Sequence, residues 1–522
     1  MTQDVTVQAG SLLALLPEIV LSVAALAVLL LDVFQRGEAG GPSAPGVPRL
    51  AVGGVVAAAA ANLALVGIPD PGASSLVAVD GLRVASNFLL LTGAGLGLLF
   101  AGDWLDREDL RIGEFYALVL FATVGAMVLA GARDLILTFL GLEMMSISVY
   151  VLTAFNRRDP RSSEAGVKYF LIGAFASAFL IYGVALLYGA TGTTQLAELA
   201  ARIGPATGEG SLLVWGGVGF LLVGFGFKVS AVPFHMWAPD AYQGAPTPVT
   251  GYMAAAVKAA AFLALLRVVT HLEAARAIWE SALWWLAVLT MIVPNLIALA
   301  QDDVKRMLAY SSVAHAGYVL VGLVSGGTGG VSASIFYLGV YTLMTLGAFG
   351  FVYLVAGRGD RRSGLGDFRG LGWRRPWLGG AMTLFLLSLA GFPPTGGFVG
   401  KLFLLRGALD AGHVVLAVTL VLTSFVAYYY YLRVVWKMYF EESPEGALAP
   451  PAPGRSFRAA AAVCALGVLC AGLVPGPAIR ATDGVAAGMT PDPAPRAAET
   501  AAPPTDRSGP EPADVASVEP DA

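Results

Sequence analysis

Apolar runs of about 20 residues, each long enough to cross about 30 Å of hydrocarbon as an α-helix, recur along nearly the whole chain. In lipid every backbone N–H and C=O must find its partner within the protein, which leaves helices or a closed barrel as the spanning forms. A barrel needs short segments of alternating polarity, and runs such as FLLVGFGF and AALAVLLLDVF do not alternate. Composition agrees: 57% of the 522 residues are apolar and 13% charged, against about 45–50% and about 25% in soluble domains. The expected fold is therefore an all-α polytopic membrane protein. Fourteen spans are read near 12–34, 50–68, 81–101, 113–131, 135–155, 163–189, 211–238, 249–271, 279–300, 304–324, 331–356, 377–408, 413–439 and 457–475.

Loop charge fixes the orientation of such a chain, because Lys and Arg are retained on the cytoplasmic side. Loops after odd-numbered spans hold seventeen Lys and Arg residues, and loops after even-numbered spans hold three: Arg133, Arg202 and Arg276. Both termini are thus expected on the outer side of the membrane. The start, MTQDVTVQAG, has no basic residue before its apolar run and reads as an uncleaved first span. Beyond residue 479 the chain turns to Ala, Pro, Ser, Asp and Glu, the composition of an acidic, disordered tail.

Much chemistry is missing. Cys464 and Cys470 lie inside the last span without a cluster-binding pattern, and the four histidines are scattered. No dinucleotide or triphosphate fingerprint occurs, so no cofactor, metal or nucleic-acid partner is expected on this chain. What remains is charge in the bilayer. A Lys or Asp at a helix centre costs about 2.5–3.5 kcal/mol, and such groups mark ion or proton paths. Glu143, Lys228, Lys258 and Lys401 all lie deep in spans and are the primary candidates. Lys168, His235 and His315 form a second tier. Snorkelling accounts for Lys168 nearly as well, and either histidine can be a proton relay or an interior hydrogen-bonder. Glu18 and Asp32, at the ends of the first span, need no special role.

Two spans are broken. Ser230–Pro233 interrupts the seventh and GFPPTGG (391–397) the twelfth. Paired breaks in two halves of a membrane protein point to a transport path. DLILTFLGLEMMSISVYVL (134–152) aligns with DDVKRMLAYSSVAHAGYVL (302–320), setting Asp134 against Asp302 and Tyr150-Val151-Leu152 against Tyr318-Val319-Leu320. Spans four to eight then repeat as nine to thirteen. Five is odd, so the copies have opposite topology. The expected division is an N-terminal three-helix segment (1–112), two repeats (113–271 and 279–439), a last helix (440–478) and the tail (479–522).

GFKVSAVPFHMWAPDAYQGAPTPVT, QDDVKRMLAYSSVAHAGY and GFPPTGGFVGK resemble the antiporter-like membrane subunits of respiratory complex I. PEIVLSV, LGLEMMSISVYVL and EAGVKYFLIGAFASAFLIYG are most similar to the N-subunit branch, over nearly the whole chain to about residue 475. The resemblance implies fourteen helices with two inverted five-helix repeats. It also implies a proton path in which Glu143 faces Lys228 near mid-membrane, Lys258 passes the proton laterally and Lys401 hands it to the opposite side. Flavin, iron–sulfur clusters and quinone would belong to partner subunits, and the neighbours would be other antiporter-like and small membrane subunits. The alternative on the same helix plan is a subunit of a multisubunit cation/proton antiporter.

Overall fold

A computed structural model describes residues 13–36, 46–70, 72, 75–203, 211–443 and 450–489. Among the described residues the chain is helical throughout, with isolated β-bridges and no strand. The spans are α1 (Leu16–Arg36), α2 (Gly46–Ala64), α3 (Gly81–Arg107), α4 (Gly113–Gly131), α5 (Leu135–Thr153) and α6 (Pro160–Thr191). A short amphipathic α7 (Leu196–Ile203) precedes α8 (Ser211–Val229) and α9 (Trp237–Gly244), the two parts of the first broken span. There follow α10 (Thr247–His271), α11 (Arg276–Leu299), α12 (Val304–Ser325) and α13 (Gly327–Ala356). The second broken span is α14 (Pro376–Ala390) with α15 (Gly396–Asp410), and α16 (Val414–Phe440), α17 (Arg455–Leu473) and α18 (Gly476–Ala487) complete the chain. Thirteen of these helices are long and apolar enough to cross a membrane, and the paired halves α14 and α15 supply the fourteenth crossing.

Helices apolar on every side belong in the interior, and α10, α12 and α13 form that interior, almost wholly buried. Around them α1, α2, α6, α16 and α17 keep an outward stripe of exposed Leu, Val, Ile and Phe, the surface that lipid or neighbouring chains cover. Close crossings need small residues. A Cβ on Gly141 of α5 would lie 2.6 Å from the Leu129 nitrogen of α4, and one on Gly317 of α12 would lie 2.7 Å from the Met291 nitrogen of α11.

The internal repeat is visible in backbone detail. Asp134 caps α5 by accepting from the Ile136 and Leu137 amides, and Asp303 caps α12 by accepting from Arg306. Each capping aspartate also forms a lone antiparallel bridge, to Gln195 and to Gly364 respectively. The Leu135 amide donates to the Thr194 carbonyl (2.9 Å) as the Val304 amide donates to that of Ser363 (2.7 Å). Five crossings separate the two places, so they lie at opposite membrane faces. The capping partner of Asp134 is therefore Asp303, one residue past the Asp302 that the sequence match selects. Asp302 instead pairs with Arg433 at 2.5 Å.

Three expectations change. Glu18 is buried against Arg83 (2.9 Å), and Arg83 also donates to the Ala14 and Ala78 carbonyls. Asp32 is buried and accepts from the Gly113 amide at 3.0 Å, tying α1 to α4. Both are structural pins, because a carboxylate removed from water must have donors. Nearby, burial pushes the Asp80 carboxyl up, but the Arg267 guanidinium at 2.7 Å more than offsets this and holds it at about 2. Third, the acidic tail does not begin at 479. Residues 476–487 form α18, which packs Ile479 and Val485 on the core and meets Ser332 through Thr482 (2.9 Å) and Asp483 (2.5 Å). The expectation for 490–522 lies outside the described residues.

Replacing Gly141 by valine should drive α5 off α4, since overpacking costs about 1–3 kcal/mol. The expected result is a lower midpoint of thermal inactivation in detergent-solubilised membranes, with Gly141→Ala milder. An unchanged midpoint for both would contradict the close crossing.

Candidate functional site

Lys228 sits in the last turn of α8, just before Ser230 takes a left-handed φ of 62° and ends the helix. The negative end of the half-helix dipole favours a cation there. Its ammonium is buried and donates to Ser146 Oγ at 2.6 Å, with the Tyr150 and Tyr169 rings each 5.6 Å away. Glu143, one turn before Ser146 on α5, accepts instead from Ser177 Oγ of α6. The expected face-to-face pair is thus not in direct contact: each member is held by its own serine, and among the described residues Lys228 has no ion pair. A cavity of about 10 Å³ lined by Ser177, Tyr150, Gly173, Gly224 and Lys228 lies between them. That is about the space of one water.

Lys258 follows a single π-helical turn, Met253–Val257, inside α10. Such turns are rare and concentrate at functional sites. Its ammonium donates to Ser312 Oγ (2.6 Å) and to the Ser312 carbonyl (2.9 Å) on α12. His315 lies one turn further along α12, fully buried. Its Nδ1 is 2.6 Å from the Tyr337 hydroxyl and its Nε2 3.1 Å from that of Tyr431, which also meets Ser311.

Lys401, in the second turn of α15, donates to the Ala390 carbonyl at 2.8 Å. Ala390 is the last residue of α14, where Gly391 turns the chain with φ 91°. The break therefore frees a carbonyl at a helix C-terminus, and that oxygen holds the lysine. The ammonium stands 4.8 Å from the Tyr318 ring of α12. Asn295 Nδ2 reaches the Tyr318 hydroxyl at 3.4 Å, and the Tyr430 hydroxyl donates to Asn295 Oδ1 at 2.8 Å.

One face of α12 thus presents Ser312, His315 and Tyr318 in successive turns, spanning about 9 Å, and connects Lys258 to Lys401. Each of the three lysines is held by neutral oxygens. A serine hydroxyl can accept from an ammonium or donate to an amine; Ser146 accepts from Lys228 while donating to the Leu142 carbonyl, and would have to turn that proton over to serve the amine.

Two candidates stand apart. Lys168 is half-exposed and ion-paired to Glu164 (2.7 Å) and Asp240 (3.6 Å), as a surface lysine would be. His235 is half-buried in the link between α8 and α9, and its buried Nδ1 has no hydrogen-bond partner among the described residues. Sequence reading passed over Ser146, Ser177, Ser312, Tyr318, Tyr337 and Tyr431, which carry the contacts. The one signal was spacing, since Ser146 lies one turn after Glu143 and Ser312 one turn before His315. Among the described residues no group of His, Cys, Asp and Glu is arranged to hold a metal.

A family model described as NADH:quinone oxidoreductase/Mrp antiporter, TM matches residues 132–427. The NADH-quinone oxidoreductase subunit N of Trichlorobacter lovleyi is 45% identical over 474 residues, covering 90% of this chain and 95% of its own. The chain belongs to the subunit N family. A second member, from Gemmatimonas aurantiaca, is 46% identical over 486 residues and covers 90% of this chain and 92% of its own. In three dimensions a chain of respiratory complex I from Thermus thermophilus with bound aureothin matches with a TM-score of 0.76 at 38% identity, over 90% of this chain and 99% of that one. A chain of the Mrp complex from Dietzia sp. DQ12-45-1b matches with a TM-score of 0.78 at 24% identity, over 92% of this chain and 97% of that one, which shows a common fold alone.

Ser146→Ala should leave a buried ammonium without its acceptor, a loss of about 1–3 kcal/mol. Adding Lys228→Met removes the charge and should recover most of that stability. Thermal unfolding of the two variants and the double variant checks this. A double variant no more stable than Ser146→Ala would show that the hydroxyl does not hold Lys228.

Proposed function

We propose that the chain is a proton-translocating membrane subunit of a bacterial NADH–quinone oxidoreductase. It moves protons while partner subunits carry electrons from NADH to quinone. The observation that carries this is the set of three buried lysines, each on neutral oxygens, two of which, Lys258 and Lys401, are joined along one face of α12. A fixed structural cation is served best by a carboxylate, whereas a lysine on hydroxyl and carbonyl oxygens is free to give up its proton. Glu143, held by Ser177 Oγ, and Lys228, held by Ser146 Oγ, form the acid–base pair at the start of the path. Lys258 receives the proton, His315 and the Tyr337 and Tyr431 hydroxyls carry it along α12, and Lys401 releases it.

Flavin, iron–sulfur clusters and quinone belong to partner subunits, and this chain has no redox centre of its own. Its neighbours are other antiporter-like and small membrane subunits of the same complex. Glu143 is only half-buried within the single chain. A carboxylate at that depth is costly against lipid, which supports a neighbour over the α5 face.

Glu143→Gln and Lys228→Ala should assemble and yet lose most NADH-driven proton pumping in inverted vesicles, with Lys258→Ala and Lys401→Ala changing in the same direction. Lys168→Ala should be milder, in keeping with its half-exposed ion pairs. Pumping at wild-type stoichiometry in Glu143→Gln or Lys228→Ala would remove the assigned path.

Orientation has its own test. The charge count puts the 357–376 loop in the cytoplasm and α18 outside. In a background lacking Cys464 and Cys470, a cysteine near residue 488 should react with an impermeant maleimide in intact spheroplasts. A cysteine in the 357–376 loop should react only after permeabilisation. Reversed labelling would invert the topology.

A further inference from the structure

One buried lysine lies outside the path described so far. Lys305, in the first turn of α12, is 2% exposed although it occupies a loop-proximal position on the arginine-rich face. Its ammonium donates to the Ala245 carbonyl at 2.5 Å and stands 3.7 Å from Asp360 Oδ2. That carboxylate oxygen also accepts from the Thr247 amide (2.8 Å) and hydroxyl (2.7 Å) at the start of α10. Asp360 Oδ1 is buried without a hydrogen-bond partner among the described residues, with Arg107 Nη2 at 3.5 Å. Asp360 takes a left-handed φ of 48°, uncommon outside glycine. The loop thus turns to bring one carboxylate between α10, α12 and α3.

Two cavities lead to this cluster. A polar vestibule of about 690 Å³ is lined by Glu108, Asn156, Arg158, Asp159, Arg161 and Arg358. A chamber of about 10 Å³ shares Asn156, Asp159, Arg161 and Gly359 with it, and adds Gln243, Lys305 and Asp360. That chamber holds about one water. On the far side, Lys305 and Ser312 are seven residues apart on α12, two turns along the same face and about 10 Å in rise. Ser312 is the partner of Lys258. Tyr242 is buried beside this interval, 5.8 Å below the Lys258 ammonium.

We infer that Lys305 and Asp360 form a proton intake that feeds Lys258 from the arginine-rich face of the membrane. The inference rests on the pumping role proposed above. A proton entering from the vestibule is relayed by the chamber water, which gains one as it gives one up, and adds to the Lys305 amine. The ammonium gives a proton to water on its α12 side, and the Lys258 amine takes it up. Lys305 returns to the amine, and charge is conserved at each step. Asp360, which lines the chamber, holds the ammonium state between transfers. The same α12 face then carries the proton from intake to Lys258, His315 and Lys401.

A structural pin and an intake differ in what arginine does at position 305. Arginine keeps the cation but does not deprotonate in proteins. The test uses the whole complex in native membranes, with Lys305→Arg, Asp360→Asn and Lys258→Ala compared for assembly on native gels and for NADH-driven acidification of inverted vesicles. The expected result is assembled Lys305→Arg and Asp360→Asn complexes whose pumping falls about tenfold, equivalent to ~1.4 kcal/mol of added barrier. Wild-type pumping in Lys305→Arg, or in Asp360→Asn, overturns the intake. If Lys305→Arg does not assemble, Asp360→Asn decides alone. Wild-type pumping in Lys258→Ala instead overturns the underlying pumping role, and the intake with it.

Discussion

A lysine ammonium in a low-dielectric interior must have oxygen within reach, and this chain supplies that oxygen at every buried lysine of the central path without supplying a countercharge beside it. Ser146 meets Lys228, Ser312 meets Lys258, and the freed carbonyl of Ala390 meets Lys401. The rest of the architecture follows from providing those contacts. The breaks at Ser230 and Gly391 end half-helices beside two of the lysines. The interior position of α12 lets one helix face touch the other groups in turn. The glycine crossings hold α5 against α4 and α12 against α11, which fixes where Glu143 and Ser312 stand.

The outer shell obeys a different rule. There the buried ions are paired directly, Glu18 with Arg83 and Asp80 with Arg267, and these pairs tie α1, α3 and α10 together. A matched pair in a dry site resists any change of protonation, because losing either charge strands the other. The molecule thus separates two uses of buried charge. Paired ions fasten the ends of helices, and lysines on neutral oxygens occupy the middle.

Much of this was legible in the sequence, because hydrocarbon punishes ambiguity. The spans, both breaks and the four central ionisable groups stand out from their apolar surroundings. The partners do not, since serine and tyrosine are ordinary in membrane helices and bond their own backbone as readily as a neighbour, as Ser148 does with the Met144 carbonyl. Lys305 was hidden for another reason: counted among loop charges, it looks solvated, and only the fold of Asp360 over it shows otherwise. The capping register was off by one because QDDVK offers two adjacent aspartates, and backbone geometry selects Asp303. Residues 479–487 read as part of a polar tail because their composition is weak. Ile479 and Val485, with Thr482 and Asp483 on Ser332, are enough to dock one helix that is already held by α17.

The π-helical turn at Met253–Val257 has a geometric consequence. An α-helix advances about 100° per residue, and a π turn holds one residue more than an α turn. If that surplus residue were absorbed and the turn tightened to α, everything beyond it would rotate by about that angle relative to the preceding segment. Lys258 is the first residue beyond it. The same rotation would carry its ammonium off Ser312, while Thr247, on the other side of the wide turn, kept its hold on Asp360. Such a wide turn would act as a swivel, placed between the part of α10 that is anchored and the residue whose direction matters.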